Sequence, residues 1–467
     1  MAGKKRLGMS EKEREFFSLP YEIAAVRPLW PSTRAEREAA LEEARYNTEL
    51  LPQHLIYVDL KTDSGVSSWS LAQASAVLGG DRLEAGVELA QEGSRAFRSL
   101  SAAFGECFGF PFVVPCTQGR AAERIWIKLH SRPGGVVPGN MLFPSTRFHI
   151  ESNGGKVVDV IGESAYDLSG DEPFKGNVDL DKLAGAFREH GKEKIPFVYV
   201  ELCVNACGGH PVAPENLKEI RSFLAPLGVP LFLDASRIVE NSYLVQRREV
   251  GYRARSIVEI ARETCSYADA CTMSALKDFL VREGGFIGTR DEKLYQRAYL
   301  QSFLDGAQLS SAALERLAGA LREVCLSDAY VASRGAQVEY LFSALARAGL
   351  PVVRPAGGHA VYLDLNRFLP HVPAAAFPAE ALAAYVFALS GIRLTKGPPP
   401  TQAQSARGIN LLRIAVPARR YLSAHLDDVA AALSHAYAHR GEIRGLRIVE
   451  QPGRSRYAPP HFTPAPS

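Results

Sequence analysis

The sequence predicts an α/β protein, with a large domain on a mostly parallel sheet and a smaller α+β domain beside it. Through the middle of the chain, short runs rich in β-branched and aromatic residues alternate with segments of helical period. From about Ser333 that alternation gives way to a helix, two strand-like runs and a closing helix. The 467 residues, 46% hydrophobic and 22% charged, supply enough apolar side chain for two domains.

In chain order, the basic opening MAGKKRLGMSEKERE lacks the apolar stretch of a signal peptide and reads as an N-terminal arm over residues 1–20. STRAEREAALEEARYN predicts the first helix, with Ser32 as its N-cap. Six apolar runs then read as strands: FPFVVPC, KVVDVI, IPFVYVELCVN, VPLFLDA, ADACTMS and GGFIGTR. Between them, APENLKEIRSFLAPLG and ARSIVEIARETCSYA read as helices. Such alternation implies a parallel sheet whose ligand chemistry lies at the carboxyl ends of its strands. Beyond it, GAQVEYLFSALARAGL predicts a helix and VVRPAGGHAVYLDL a strand, and LLRIAVPARRYLSAHLDDVAAALSHAYA a strand followed by a helix. The large domain is expected over 67–330, and the small one over 21–66 together with 331–467. The Pro-rich tail after Gly453 is expected to be loosely ordered.

The formal net charge of +3 gives no electrostatic reason to bind nucleic acid or an anionic membrane. No apolar run approaches the roughly 18 residues of a spanning helix. Seven cysteines, an odd number scattered over a long chain, argue against a disulfide framework and for a reducing, cytoplasmic setting. Cys203 and Cys207 lie on an apolar run without partner histidines and read as core thiols, so no metal site is expected.

Three strand ends carry candidate chemistry. CTQGRAAERIWIKL places Gln118, Gly119 and Arg120 where a strand turns into a helix, whose free N–H groups suit an anion. VPLFLDASRIVEN ends a strand in Asp234, with Arg237 just beyond. CTMSALKDFLVREGGFI puts Lys277 after another, with no second lysine between Lys218 and Lys293. Singly, each has a commoner structural explanation: an ordinary helix start, a turn-capping carboxylate, a solvent-facing lysine. Together and in this order they are the parts that pyridoxal phosphate chemistry requires: a phosphate cradle, a carboxylate for the ring nitrogen and an amine for the aldehyde.

With these residues in place, the chain resembles the tryptophanase and tyrosine phenol-lyase family of β-eliminating lyases, within the fold type I (aspartate aminotransferase-like) group. The resemblance runs from about Pro20 to Phe462 through YVDLKTDSG, PCTQGRAAE, GNMLFPSTRFHIE, VNACGGHPV, FLDASRIVENSY, SYADACTMSALKD, GGHAVYLD, LLRIAVP and EIRGLRIV. It implies pyridoxal 5′-phosphate as cofactor, an amino acid as substrate and a homodimer or homotetramer. It further implies that Lys277 anchors the cofactor and shuttles the Cα proton, and that Asp234 holds the ring nitrogen. Gln118, Gly119, Arg120 and Ser274 would bind the phosphate, and Phe143 would stack on the ring. Asn205 would contact the 3′-oxygen with Arg237 near it, Arg413 would clamp the substrate carboxylate, and Thr62 and Ser64 would line the substrate side.

The departures from the family pattern cluster at the leaving-group end. Glu84 stands where the family has a tyrosine that acts as general acid, and Arg82 where it has a cation-binding glutamate. Leu276 replaces a second lysine, and Pro144 follows Phe143 where the family has a threonine or aspartate. Lys396 falls close to a phenol-recognising arginine and is a candidate substrate residue. The expectation is therefore elimination at Cβ of a β-substituted α-amino acid other than tyrosine or tryptophan, with Glu84 as a candidate acid. Substitution at Cβ is the enzymatic alternative, and aldolase-like cleavage is a weaker one because Phe143 rather than histidine stacks on the ring. A non-catalytic cofactor-binding homologue is the third, opposed by the retention of Lys277, Asp234 and Arg413.

Overall fold

The computed structural model describes residues 28–29, 31–68, 70, 92–325, 328–397, 399–450 and 460–466. Helix Arg34–Glu43 opens it, capped by Thr33 rather than Ser32. Thr33-x-x-Glu36 is a capping box: the Glu36 N–H donates to the Thr33 hydroxyl, and the Glu36 carboxylate accepts from the Thr33 N–H. Ser32 has alanine three residues on and can form no such pair. Strand β1 (Val58–Asp59) follows.

Each of the six apolar runs forms a strand: β2 (Phe112–Cys116), β4 (Lys156–Asp159), β5 (Val198–Glu201), β6 (Leu231–Asp234), β7 (Ala270–Ser274) and β8 (Gly285–Thr289). Between β2 and β4 lies one more, β3 (Val136–Gly139), in GGVVPGN, where flanking glycines and proline hide two valines from a periodicity reading. The sheet order is β2-β8-β7-β6-β5-β3-β4. All pairs are parallel except those of β8, which runs against both neighbours. Six strands therefore point the same way, and their carboxyl ends share one edge.

The β7–β8 hairpin is pinned there. Ser274 pairs with Gly285, so the intervening loop is tied to the sheet at both ends. Its Gly284 N–H donates to the Thr117 carbonyl at 2.8 Å, stitching it to the end of β2. Backbones touch at this corner. A Cβ on Gly285 would lie 2.4 Å from the Gln118 carbonyl carbon, and one on Gly119 would lie 2.6 Å from Ser274 Cβ.

Two apolar cores support this frame. The first packs both faces of the large sheet with Trp126, Tyr199, Phe232 and Phe286, all fully buried. The second surrounds β9 (Ala360–Asp364) and the neighbouring β12 (Leu411–Ala415) with Val58, Leu341, Leu382, Leu412 and Leu433. Strand β10 (Ile392–Arg393) pairs with β1, and β11 (Thr395–Lys396) pairs with β12. Helix Asp328–Arg347 contributes Val331 to the first core and Val338 to the second, so a single helix bridges them. The tail expected to be loose instead pairs in part: β14 (His461–Pro464) lies antiparallel to β13 (Leu446–Glu450). All seven cysteines are buried, none in a disulfide. No described helix is long and apolar enough to cross a membrane.

The corner contact sets a test. Gly285→Ala should cost at least about 1–3 kcal/mol, since a methyl there meets backbone that cannot rotate away. Urea denaturation monitored by intrinsic fluorescence measures it, and a wild-type midpoint would show that β8 can move.

Candidate active site

The shared edge gathers most of the nominated residues around one cavity. Gln118, Gly119, Arg120, Phe143, Asn205, Asp234, Arg237, Ser274, Lys277, Thr62, Ser64 and Arg413 all line it. Those of the large sheet arrive from the end of a strand or the turn after one, because parallel strands followed by helices deliver side chains there, while Arg413 comes from the middle of β12 in the second sheet. Gln118 sits extended at the start of helix Gly119–His130 and makes no side-chain cap bond, which leaves the first amides to an anion. Asp234 is buried at the end of β6, where Oδ1 accepts the Ser236 N–H at 3.0 Å. The Ser236 hydroxyl in turn accepts the Ser274 N–H at 2.9 Å, joining two strand ends. Pro144 begins helix Pro144–Ser152 and fixes Phe143 just outside it.

These residues fit pyridoxal 5′-phosphate. Lys277 Nζ lies 4.8 Å from the centre of the Phe143 ring, so the amine reaches the face on which a flat heterocycle would stack. A buried carboxylate faces the same cavity from β6, and the space beside Gly119 admits no side chain there. Leu276 also lines the cavity.

At the other end, Arg413 on β12 donates from Nη1 to Asn205 Oδ1 at 3.2 Å and from Nη2 to the Lys61 carbonyl at 3.3 Å. Its Nε is buried without a partner among the described residues. Asn205 Oδ1 also accepts from the Tyr362 hydroxyl at 2.6 Å, and Ser64 N–H donates to the Thr62 hydroxyl at 3.1 Å. Lys396 is not brought to the cavity. Its side chain is mostly exposed, with Nζ 3.6 Å from Glu380, because β11 turns it away while its neighbour Thr395 pairs with Arg413. Glu84 and Arg82 lie outside the described residues.

Arg237 lines the cavity but its guanidinium is engaged elsewhere. It binds Asp63 through Nη1 and Nη2 at 2.9 and 3.0 Å, and Glu240 at 3.0 Å. Arg334 bridges the same two acids, at 2.5 Å to Asp63 and 2.7 Å to Glu240, and His359 Nδ1 is 3.4 Å from Glu240. All five side chains are buried. Burial opposes ionisation of Asp63 and Glu240, but Arg237 and Arg334 outweigh it. Asp63 is held well below the usual carboxylate range and Glu240 down to about 2.

Three cavity carboxylates escaped the sequence reading. Glu123, on the inner face of helix Gly119–His130, accepts from the Ser145 and Thr146 hydroxyls at 2.6 and 3.1 Å. Burial and the charge of Asp234 push it up to about 7. Glu201 ends β5 beside Asp234 and is pushed up to about 8 for the same reasons. Asp63 is the third. A charged residue inside YVELCVN was the visible signal for Glu201; Glu123 and Asp63 had none that spacing alone could supply.

Asp63→Asn should destabilise the protein by about 3–5 kcal/mol at neutral pH, because two arginines lose a shared counter-charge. For Glu240, the folded pKa lies below the unfolded one. Its stabilisation is full above about 4.5 and declines as pH falls toward about 2. Chemical denaturation between pH 7 and 3 checks both, and a mutant of wild-type stability at pH 7 would contradict the ion cluster.

Comparison with known proteins agrees with the geometry. The family profile described as Beta-eliminating lyase matches residues 59–432. A tyrosine phenol-lyase of Symbiobacterium sp. (strain SC-1) is 41% identical over 457 residues, covering 95% of this chain and 98% of that protein. One of Pasteurella multocida (strain Pm70) is 40% identical over 463 residues, covering 97% and 99%. Among solved structures, the serine palmitoyltransferase of Sphingomonas wittichii superposes with a TM-score of 0.62 at 16% identity, over 88% of this chain and 97% of that one. A double mutant of Thermus thermophilus aspartate aminotransferase gives 0.60 at 15% identity, over 88% and 100%. The fold is therefore the aspartate aminotransferase-like fold type I.

Proposed function

The chain belongs to the beta-eliminating lyase family as an enzyme that uses pyridoxal 5′-phosphate, and on that premise we propose that it eliminates the β-substituent of an α-amino acid other than tyrosine or tryptophan. The observation that carries the substrate reading is the cavity wall. Its described lining holds hydroxyls, carboxyls and guanidiniums but no tyrosine. Where the resemblance expects the phenolic acid, the chain has Glu84. Expelling phenol or indole requires protonation of an aromatic carbon by a strong, placed acid, whereas a thiolate or carboxylate leaves with little help.

In this reading the bound cofactor supplies an electron sink conjugated with Cα. Arg413 holds the substrate carboxylate, for which its forked guanidinium is suited. Lys277 Nζ would anchor the cofactor and would take the proton from Cα. Asp234 keeps a proton on the ring nitrogen, since a buried carboxylate favours the charged form of a base beside it. Gln118, the Gly119 amide, Arg120 and Ser274 would hold the phosphate, and Phe143 and Asn205 would hold the ring. Thr62 and Ser64, placed by the ion pairs of Asp63 between them, face the β-substituent.

A second reading, with tyrosine itself as substrate, is favoured by the identity to proteins named tyrosine phenol-lyase. Pyruvate assays separate the two. Tyrosine and tryptophan are expected to be very poor substrates, while S-substituted or O-acylated serine-type amino acids release stoichiometric pyruvate. Rapid phenol release from tyrosine would replace the first reading by the second. Product amino acid without pyruvate would indicate substitution at Cβ.

Borohydride should bleach the cofactor absorbance and fix the cofactor to Lys277, as peptide mapping would show. Reducible covalent cofactor in Lys277→Ala would refute the anchor. Glu84→Gln tests the remaining acid: unchanged turnover with good and poor leaving groups alike removes Glu84 from the reaction, and slowing confined to poor ones retains it.

A further inference from the structure

Glu201 has no role in the reading above, yet its side chain lines the cavity and one of its oxygens finds no partner among the described residues. It is 95% buried by its 5% exposure, at the carboxyl end of β5 and in register with Asp234 on β6. Oε1 accepts the Asn205 N–H at 2.9 Å. Oε2 is fully buried and has no hydrogen-bond partner among the described residues. Glu123 makes the contrast: it faces the same cavity with both oxygens engaged by hydroxyls. An unsatisfied buried oxygen costs about 1–3 kcal/mol, and a turn cap needs only one carbonyl oxygen. Capping Asn205 therefore explains Oε1 and leaves Oε2 unexplained.

Charge decides what Oε2 offers. Asp234 faces Glu201 from β6 and Glu123 from helix Gly119–His130, while Lys277 faces it from the β7–β8 loop and Cys207 from the turn after its own strand. Arg120, Arg237 and Arg413 also line the cavity, and Arg237 is neutralised by Asp63 and Glu240. Burial and Asp234 outweigh Lys277 and push Glu201 up to about 8. The shift favours the protonated form, which can donate.

The geometry points to Glu201 as a cofactor-binding residue: it enters the cavity as an uncharged carboxylic acid and donates a hydrogen bond to the ring oxygen that Asn205 also contacts. This rests on the cofactor placement proposed above. A neutral donor would suit an anionic ring oxygen, which an ionised carboxylate would repel. Binding of the ring and protonation of Glu201 are then linked, and affinity falls when the proton is lost.

The test uses the full chain and 4′-deoxypyridoxine 5′-phosphate, which keeps the ring, its oxygen and its phosphate but has no aldehyde for Lys277. Its Kd is measured by calorimetry from pH 6.5 to 9.5 for wild type, Glu201→Gln and Glu201→Met. Glutamine keeps a neutral donor and methionine keeps only the length. At pH 7, Glu201→Gln should bind like wild type, and Glu201→Met roughly three- to tenfold more weakly. Above about 8, wild-type Kd should rise relative to that of Glu201→Gln by up to tenfold per pH unit. Comparing the two chains cancels the ligand's own titration. A wild-type to Glu201→Gln ratio that stays constant with pH, or full affinity in Glu201→Met, overturns the donor role alone. If none of the three chains binds saturably, the cofactor placement falls and the donor role with it.

Discussion

The wall of the cavity that carries Thr62 and Ser64 depends on four buried charges that cannot be separated. Asp63 and Glu240 are each shared by Arg237 and Arg334, and removing any one leaves another without a counter-charge in a low-dielectric interior. The four come from distant parts of the chain: the segment after β1, the helix that follows Asp234, and the helix that bridges the two cores. Their pairing thus sets how the second core sits on the first. It also holds Thr62 and Ser64 against the cavity, since Asp63 lies between them.

The sheet imposes the other constraint. Six strands of one direction bring their exits together, and the antiparallel β8 returns the chain so that the Lys277 loop is held from both sides. Those exits are tightly turned. Met141, Cys203 and Leu280 all have positive φ, at 61°, 53° and 59°, although none is glycine. Each lies within three residues of a cavity side chain: Phe143, Asn205 or Lys277. Such conformations cost of order 1–3 kcal/mol each and persist where surrounding contacts over-determine them. Here those contacts are the sheet ladders and the corner where Gly119, Ser274 and Gly285 meet.

Much of this was legible in the sequence, and the physics explains which part. Lys277, Asp234 and Gln118 end apolar runs, and strand-end position is local information. The missed β3 has only two valines between glycine-rich flanks, too short a pattern for periodicity to register. The ion cluster was invisible because its partners are up to 271 residues apart, and no spacing rule joins Asp63 to Arg334. Arg237 was read from its distance to Asp234, which gave its neighbourhood but not its partner. Lys396 failed for the opposite reason: it is one residue from the position that pairs with Arg413, and on a strand one residue reverses the face.

Three arginines line the cavity, Arg120 at the helix start and Arg237 and Arg413 beyond it, and the different surroundings of the last two give it a direction. Arg237 is bound by two carboxylates, so a new anion would have to displace charged partners. Arg413 is held only by an amide oxygen and a backbone carbonyl, at 3.2 and 3.3 Å, and no carboxylate pairs with it among the described residues. A small dipolar molecule entering the cavity would thus meet, on the β12 side, a guanidinium that no carboxylate pairs with among the described residues. Its anionic group is drawn toward β12, and the remaining substituents are left to face β1 and the sheet edge. Handedness would need one more fixed point: with the carboxylate at Arg413 and the amino nitrogen also held, only one mirror image would turn its Cα hydrogen toward Lys277.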